Sequence, residues 1–456
     1  MSASSRRRFL RQLSGGLLAA PLLSERLHAA TLPHPRRRGP NDQINLACIG
    51  IGIQGFNDIE AALQNEGITL VGVCDLYDGH LQRARERYGD DLYTTRDYRE
   101  LLARPDIDAV IVATPDHWHD TITIAALDAG KHVYCEKPLV QQLDEGHPVL
   151  EAERRNDGIL MVGSQRVSSI LTEQARELYQ AGELGQLVMV ETFNDRFDAL
   201  GAWQYSIPRD ASPDTVDWDT FLKDTPKLPF DATRFFRWRN YRDYGTGVAG
   251  DLFVHLFSGA HRILDSAGPE RIFATGGLRY WEDGRDVPDV FIASCDYGRQ
   301  DAHPAFNMQL RVNFVAAGGG GNRIRFVGTE GSLDVEGRQI TLHRQALPAA
   351  PGYGGWDSFG TFSEQGRAAF EQWYRSEYPP TTPQVVGPNE WTYRVPEGYS
   401  DHVHHFGNWF AAIREGGTVV EDGTFGFRAA APSLAANVSY FEDRVVRWDP
   451  LAMRMA

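Results

Sequence analysis

The sequence predicts two unlike domains. The first is an N-terminal α/β domain with a doubly wound parallel sheet, and the second a larger C-terminal α+β domain built on a mostly antiparallel sheet. Three observations carry this. Short apolar runs alternate with helix-spaced segments up to residue 164; the first run ends in a glycine-rich turn; and beyond residue 165 strand-like runs follow one another without regular helical crossovers. Strands separated by helices make parallel sheets, whereas strands in succession make antiparallel ones. At 456 residues the chain is long for one domain, and 42% hydrophobic with 23% charged residues is a globular composition. A net charge of −15 argues against a nucleic-acid-binding surface, which needs clustered Lys and Arg.

Taken in order, residues 1–40 form an expected leader and linker. They run against the overall charge, with Arg6, Arg7, Arg8, Arg11 and Arg26 against Glu25, so the remainder is more acidic than the whole. Ser5-Arg6-Arg7-Arg8-Phe9-Leu10-Arg11 resembles the twin-arginine export signature. The apolar stretch Leu13 to Leu23 is too short to span a hydrocarbon core of ~30 Å. A processing site near Ala29-Ala30, export in the folded state to the periplasm or beyond by the twin-arginine machinery, and no stable membrane span are the expectations. A basic tail without that role is the alternative. Cys48, Cys74, Cys135 and Cys295 have neither disulfide nor zinc spacing.

Residues 41–164 form the first domain. Ile44–Gly52, Ile68–Asp75, Asp108–Thr114, His132–Cys135 and Ile159–Gly163 read as buried strands, with helices at Thr121–Ala129 and Leu143–Arg155 among those between. The first turn, Gly50-Ile51-Gly52-Ile53-Gln54-Gly55, is a full G-x-G-x-x-G. Its glycines allow a tight turn, close approach of a pyrophosphate, and helix-on-strand packing, while the helix N-terminus offers free N–H groups to phosphate. Asp75, 20 residues after Gly55, stands where a carboxylate would grip the adenosine ribose. The domain is therefore read as a Rossmann dinucleotide-binding domain. An acid there repels a 2′-phosphate, so NAD is expected ahead of NADP.

Two more strand ends carry polar motifs, Thr114-Pro115-Asp116-His117-Trp118-His119 and Glu136-Lys137-Pro138. With the glycine motif and Asp75, these resemble the Gfo/Idh/MocA oxidoreductases, and the resemblance runs over nearly the whole chain after residue 42. It implies that Gly50, Gly52, Ile53, Gln54, Gly55, Asp75, Thr114, Pro115, Asp116, Trp118, His119, Glu136, Lys137 and Gln165 surround the cofactor. By the same resemblance Lys137, Asp251 and His255 form the catalytic group. His255 is the expected acid/base, Asp251 an orienting carboxylate, and Lys137 a hydroxyl-binding and relay residue; the sequence leaves open which of Lys137 and His255 takes the proton. The spacing of Asp251 and His255 puts them on one face of a helix. His117 and His119 lack companion ligands, so no metal is expected.

Residues 165–456 form the second domain. Val188–Phe193, Ile272–Gly276, Val290–Cys295, Met308–Phe314 and Arg323–Val327 read as strands, and Gly328–Leu333 as a hairpin turn. Arg166, Trp238 and Tyr241 are the candidate substrate contacts, aromatic rings being able to stack on sugar faces. Arg237 and Arg239 are further candidates for hydroxyl or carboxylate binding. The Gly- and Pro-rich stretch from Ala346 to Tyr399 reads as a long covering loop. The helix from Asp401 to about Glu415 is read as structural, and a C-terminal helix is expected to pack back on the first domain. The family resemblance further implies carbohydrate substrates and homo-oligomers formed through the sheet. The leading expectation is an exported NAD-dependent enzyme moving a hydride between tightly held cofactor and a secondary hydroxyl of a sugar or glycoside. C3 is one such position, and the cofactor would be recycled in a redox-neutral turnover. An NAD-dependent glycosidase and a non-catalytic sugar or nucleotide sensor are the alternatives.

Overall fold

The computed structural model describes residues 43–345, 350–379 and 389–456. The twin-arginine motif and the leader expected over residues 1–40 lie outside the described residues. From Ile44 onward the chain is one compact unit.

Six strands form the first sheet: β1 (Ile44–Ile49), β2 (Ile68–Cys74), β3 (Tyr93–Thr95), β4 (Ala109–Val112), β5 (His132–Cys135) and β6 (Leu160–Val162). They run parallel in the order β3-β2-β1-β4-β5-β6. Their near-continuous apolar runs are explained by burial on both faces, which covering helices impose on a parallel sheet. The order reverses between β1 and β4, and ligands bind at the carboxyl ends of strands at such a switch point. Helix α1 (Ile53–Leu63) starts there.

Ten strands form the second sheet: β7 (Leu187–Asp195), β8 (Arg271–Gly277), β9 (Val290–Tyr297), β10 (Phe306–Asn313), β11 (Gly321–Gly328), β12 (Gly331–Glu336), β13 (Gln339–Arg344), β14 (Glu390–Arg394), β15 (Val446–Asp449) and β16 (Arg454–Met455). The order is β14-β13-β12-β11-β7-β10-β9-β8-β15-β16, antiparallel except for the central β7/β10 pair. Burial alternates along β9 and β10, so one face is covered and the other open. Helices α2 (Val254–Leu264), α3 (Asp401–Glu415) and α4 (Gly423–Phe441) follow. α4 packs on β8 and α2, and reaches β6 of the first sheet. α3 lies on α1, with Phe406 stacked on Tyr134 at 4.2 Å and Trp409 fully buried.

The stretch expected as a covering loop departs from that reading. Its described part holds β14 and a helix, Glu364–Glu377, whose Phe370 and Tyr374 pack with Tyr353. Gly and Pro punctuation concealed a helix-period apolar pattern only about four turns long. All four cysteines are buried free thiols, and among the described residues no helix is long and apolar enough to cross a membrane.

Candidate active site

The glycine turn shows three distinct steric situations. Gly50 has φ +84°, and a Cβ there would lie 2.7 Å from the Ala113 and Thr114 backbone. A Cβ on Gly55 would sit 2.1 Å from the Gly50 carbonyl oxygen, whereas one on Gly52 would meet nothing within 4 Å. The first and third glycines thus lock the turn between β1, β4 and α1, and the second leaves open space. α1 begins there without a side-chain cap, so its first N–H groups face that space. A groove of about 390 Å³ is lined by Gly52, Ile53 and Gln54 together with Asp75, His80, Thr114, Pro115 and Trp118. Open backbone cradle, uncapped helix and an acid lining the groove fit a dinucleotide.

Asp75 is held firmly. It accepts N–H bonds from Ile51 and Tyr77, both 2.9 Å, and His80 Nδ1 lies 3.1 Å away. Burial alone would raise its pKa, but His80 and the two amides outweigh it and hold the carboxyl below its ordinary range. The acid is therefore ionised at the groove.

Several other expected cofactor contacts are committed to the protein itself. Asp116 accepts bonds from Thr246 N at 2.9 Å and Thr246 Oγ1 at 2.7 Å. His119 bridges two carbonyl oxygens, Pro138 at 2.7 Å and Thr114 at 2.9 Å. Two acceptors require both ring N–H groups. Although burial opposes the charge, Cys135, Asp116 and the Pro138 carbonyl push the pKa up to about 10. Asp116 and His119 consequently shape the loops beside the groove and do not line it. His117 likewise spends its nitrogens on the Phe221 and Tyr244 carbonyls. Among the described residues no cluster of three or more metal-ligating side chains occurs.

Lys137 and Asp251 are in direct contact, and His255 lies within electrostatic reach of both. Lys137 Nζ donates to Asp251 Oδ1 at 2.8 Å and to the Asp251 carbonyl at 3.0 Å. Arg239 Nε lies 3.3 Å from the same Oδ1, and its guanidinium stacks 4.2 Å from the Trp238 ring centroid. Asp251 is buried, but Lys137 and Arg239 keep its carboxyl far below the usual range. It sits in a π-helical turn, Ala249–Phe253, that runs into α2. The regular helix expected across Asp251 and His255 is thus widened by one residue per turn, as happens at many functional sites. Burial and the Lys137 and Arg166 cations drive the His255 pKa well below its ordinary value, so the ring is neutral. Its Nδ1 is buried and has no hydrogen-bond partner among the described residues.

Glu136, Gln54 and Gln165 belong to a polar network that the sequence did not disclose in full. Gln165 Nε2 donates to Glu136 Oε1 at 2.7 Å and to Tyr134 OH at 3.1 Å. Gln54 Nε2 bridges Glu136 and Asp58, and Asp58 Oδ1 meets His402 Nε2 at 2.8 Å. Glu136 Oε2 takes the Lys137 N–H, fixing the backbone of that lysine. Burial pushes both Asp58 and Glu136 up to about 8. Asp58 lies three residues after Gly55 on the inner face of α1, so its position on the apolar stripe was the available signal. Beside this network a polar cavity of about 440 Å³ is lined by Gln54, Gln165, Arg166, His255, Asp401 and His402.

The three substrate candidates separate. Arg166 lines that cavity, donating to Asn322 Oδ1 at 2.7 Å, and Trp238 lines the cofactor groove with Tyr205 and Arg239. Tyr241 is buried in an aromatic cluster with Tyr77, Trp218 and Tyr244, Arg234 lying 4.3 Å above its ring, and lines neither cavity. Arg237 braces the Tyr205 segment through the Tyr205 carbonyl and Gln204.

Residues 44–164 match the profile described as the oxidoreductase family with an NAD-binding Rossmann fold, and residues 224–334 match the Gfo/Idh/MocA C-terminal domain. Together the two stretches cover half the chain. The chain belongs to the Gfo/Idh/MocA family. Relatives in this family include an inositol 2-dehydrogenase of Salmonella typhimurium, 29% identical over 163 residues, which is 35% of this chain and 48% of that protein. A glycosyl hydrolase family 109 protein of Shewanella baltica is 35% identical over 130 residues, 26% of this chain and 28% of that protein. The matches span less than half the length of each relative. A levoglucosan dehydrogenase in complex with NADH and L-sorbose shares the fold with TM-score 0.63 and 18% identity, over 90% of this chain and all of that one.

Proposed function

We propose that the protein is an NAD-dependent oxidoreductase that moves a hydride between the cofactor and a secondary hydroxyl of a sugar or glycoside. The observation that carries this is the pairing of an ionised Asp251–Lys137–Arg239 cluster with a neutral, half-buried His255 on the wall of the polar cavity, Arg239 also lining the groove. Lys137, steered by Asp251, presents its ammonium hydrogens to the substrate oxygen and fixes the hydroxyl. His255 accepts the hydroxyl proton as the carbon loses its hydride, and returns it in the reverse direction. Glu136, through the Lys137 N–H, keeps the lysine in register. A bound nicotinamide supplies the hydride acceptor or donor. The ionised Asp75 favours NAD, because a 2′-phosphate placed beside it is repelled.

Sequence supports the wider reading. The Arg6-Arg7 signature supports export through the twin-arginine route. A protein exported folded would carry its cofactor with it and work redox-neutrally, reducing a second sugar with the hydride taken from the first. The open sheet face, with Val188, Phe273 and Ile292 exposed, supports pairing of two copies. The similarity to family 109 hydrolases favours one second reading, in which transient oxidation leads to elimination of the glycosidic bond. Incubating the purified protein and NAD with a panel of sugars and glycosides tests both. A ketosugar with NADH formed supports dehydrogenation, and released sugar without net NADH supports the hydrolytic cycle. Neither product, with no affinity for NAD, overturns the proposal.

A further inference from the structure

Residues 205–244 follow β7 of the second sheet, yet their fixed points lie on the first domain. Val216 forms an antiparallel bridge with Tyr77, the Asp217 N–H donates to the Leu76 carbonyl at 2.8 Å, and the Asp78 N–H to the Thr215 carbonyl at 3.0 Å. Tyr77 OH donates to Asp210 Oδ1 at 2.6 Å, and Arg96 Nη2 to the Asp214 carbonyl at 3.3 Å. A second seat lies on the loop after β4. There the Phe221 carbonyl meets His117 Nε2 at 2.7 Å and Trp118 Nε1 at 3.3 Å. Lys223 Nζ donates to the His117 carbonyl at 2.7 Å and to Asp120 Oδ1 at 3.1 Å. Between the seats run two short helices, Trp218–Leu222 and Ala232–Phe236. Tyr77 of the first domain completes the apolar cluster that Trp218, Phe221, Phe235 and Tyr244 form.

Both seats adjoin the cofactor groove. The first follows Asp75 directly, with the Tyr77 N–H on that carboxylate at 2.9 Å, and the second contains Trp118; Asp75 and Trp118 both line the groove. Phe236 stands edge-on to Tyr77 and to His80, the partner of Asp75. Tyr205, Pro208, Thr220, Phe221, Phe236 and Trp238 supply the segment's own share of the lining, so the groove has walls from both domains. Two sets of hydrogen bonds and a shared aromatic cluster part together or not at all, which makes such openings infrequent. A barrier closed equally over the empty and the filled groove slows entry and exit by the same factor and leaves affinity unchanged. A side chain that merely touches the ligand acts on exit alone.

We propose that residues 205–244 are a strap across the cofactor groove, and that NAD enters and leaves only when the strap parts from residues 76–78 and 117–120. This rests on the NAD-binding part of the reading given above and is independent of the sugar chemistry. It gives the chain its own means of keeping one cofactor through successive turnovers.

Tyr77→Phe and Lys223→Met each remove side-chain ties at one seat, and neither residue lines the groove. NADH uptake by nucleotide-free protein, and its release from loaded protein chased with excess NAD, are followed by stopped-flow fluorescence. The double variant should raise both rate constants by ~10-fold or more, with the Kd changed only a few-fold. A rise in release alone, with a weaker Kd, marks the segment as an ordinary contact and overturns the gate; so do rate constants that the variants leave unmoved. Should thermal melting show the double variant unfolded, Tyr77→Cys/Val216→Cys serves instead. The pair is of the non-hydrogen-bonded type, whose Cα atoms lie ~4.5 Å apart, within disulfide reach. Oxidation should block both uptake and release, and dithiothreitol should restore them. Unimpeded exchange in the oxidised form overturns the strap. NAD bound but freely exchanged in every form overturns this inference alone, whereas absence of any NAD affinity overturns it together with the oxidoreductase reading.

Discussion

At Asp251 two cations converge on one carboxylate oxygen, and this single contact organises the residue scale. A buried carboxylate so paired is fixed in charge and position, so it orients Lys137 and does not exchange a proton itself. His255, surrounded by positive charge and half-buried on the wall of the polar cavity, is left as the group with an available lone pair. Lys137→Met and His255→Asn should each lower kcat by roughly 10²–10⁴-fold, with NAD affinity, followed by tryptophan fluorescence, changed only a few-fold. Near-normal turnover in either variant removes that residue from the chemistry. Asp251→Asn should be worse than loss of one hydrogen bond suggests, because Lys137 and Arg239 would then lie unpaired and partly buried. The expected signs are reduced thermal stability and a rise in activity as ionic strength increases.

At the scale of the element, the turn between β1 and α1 separates fold from function within six residues. Gly50→Ala forces an unfavourable φ and a 2.7 Å approach to β4's end, and Gly55→Ala drives a carbon into the Gly50 carbonyl. Each should cost about 1–3 kcal/mol, read as a lower urea midpoint. Gly52→Ala meets empty space, so it should leave the midpoint unchanged while weakening NAD binding measured by calorimetry. If Gly52→Ala binds NAD normally, the pyrophosphate does not cross that position. α3 illustrates the complementary case. Its Trp409 and Phe406 close the outer side of the first sheet, and Trp409→Ala should cost about 3–5 kcal/mol of stability without touching the catalytic groups.

On the scale of the whole molecule, buried titratable groups set how stability responds to pH. His119 has a raised pKa of about 10, and Asp58 and Glu136 about 8. Each binds a proton in the folded state that the unfolded chain releases at lower pH. Their contribution is therefore complete below the unfolded values and is lost as pH rises through the folded ones. Between pH 6.5 and 8 all three act in the same direction, each at a limiting slope of about 1.4 kcal/mol per pH unit. Thermal melts should show Tm falling through this window, and His119→Gln should flatten the decline. A Tm that rises from pH 6.5 to 8 would show that these groups do not control stability there.

The same scale explains what could be read in advance. The parallel sheet was legible because strands buried on both faces leave continuous apolar runs, and the glycine motif because its residues are adjacent in sequence. Lys137, Asp251 and His255 were legible only through motif resemblance, since 114 residues separate Lys137 from Asp251. Arg239 was read as a candidate for hydroxyl or carboxylate binding, but its pairing with Asp251 was not, and Tyr205 and Asp58 carried no local signal strong enough to single them out. Asp116, His119 and Tyr241 looked like ligand contacts by type and position, yet their polar atoms or rings are consumed by Thr246, by two carbonyl oxygens, and by an aromatic cluster. By itself the sequence determined the two sheets, the dinucleotide turn and the candidates for chemistry, all of which depend on local pattern. The tertiary structure alone decided which polar groups remain free to meet a ligand and which charges pair. Pairing and burial are properties of side chains brought together from distant parts of the chain, and they appear only when both sheets pack against the same site.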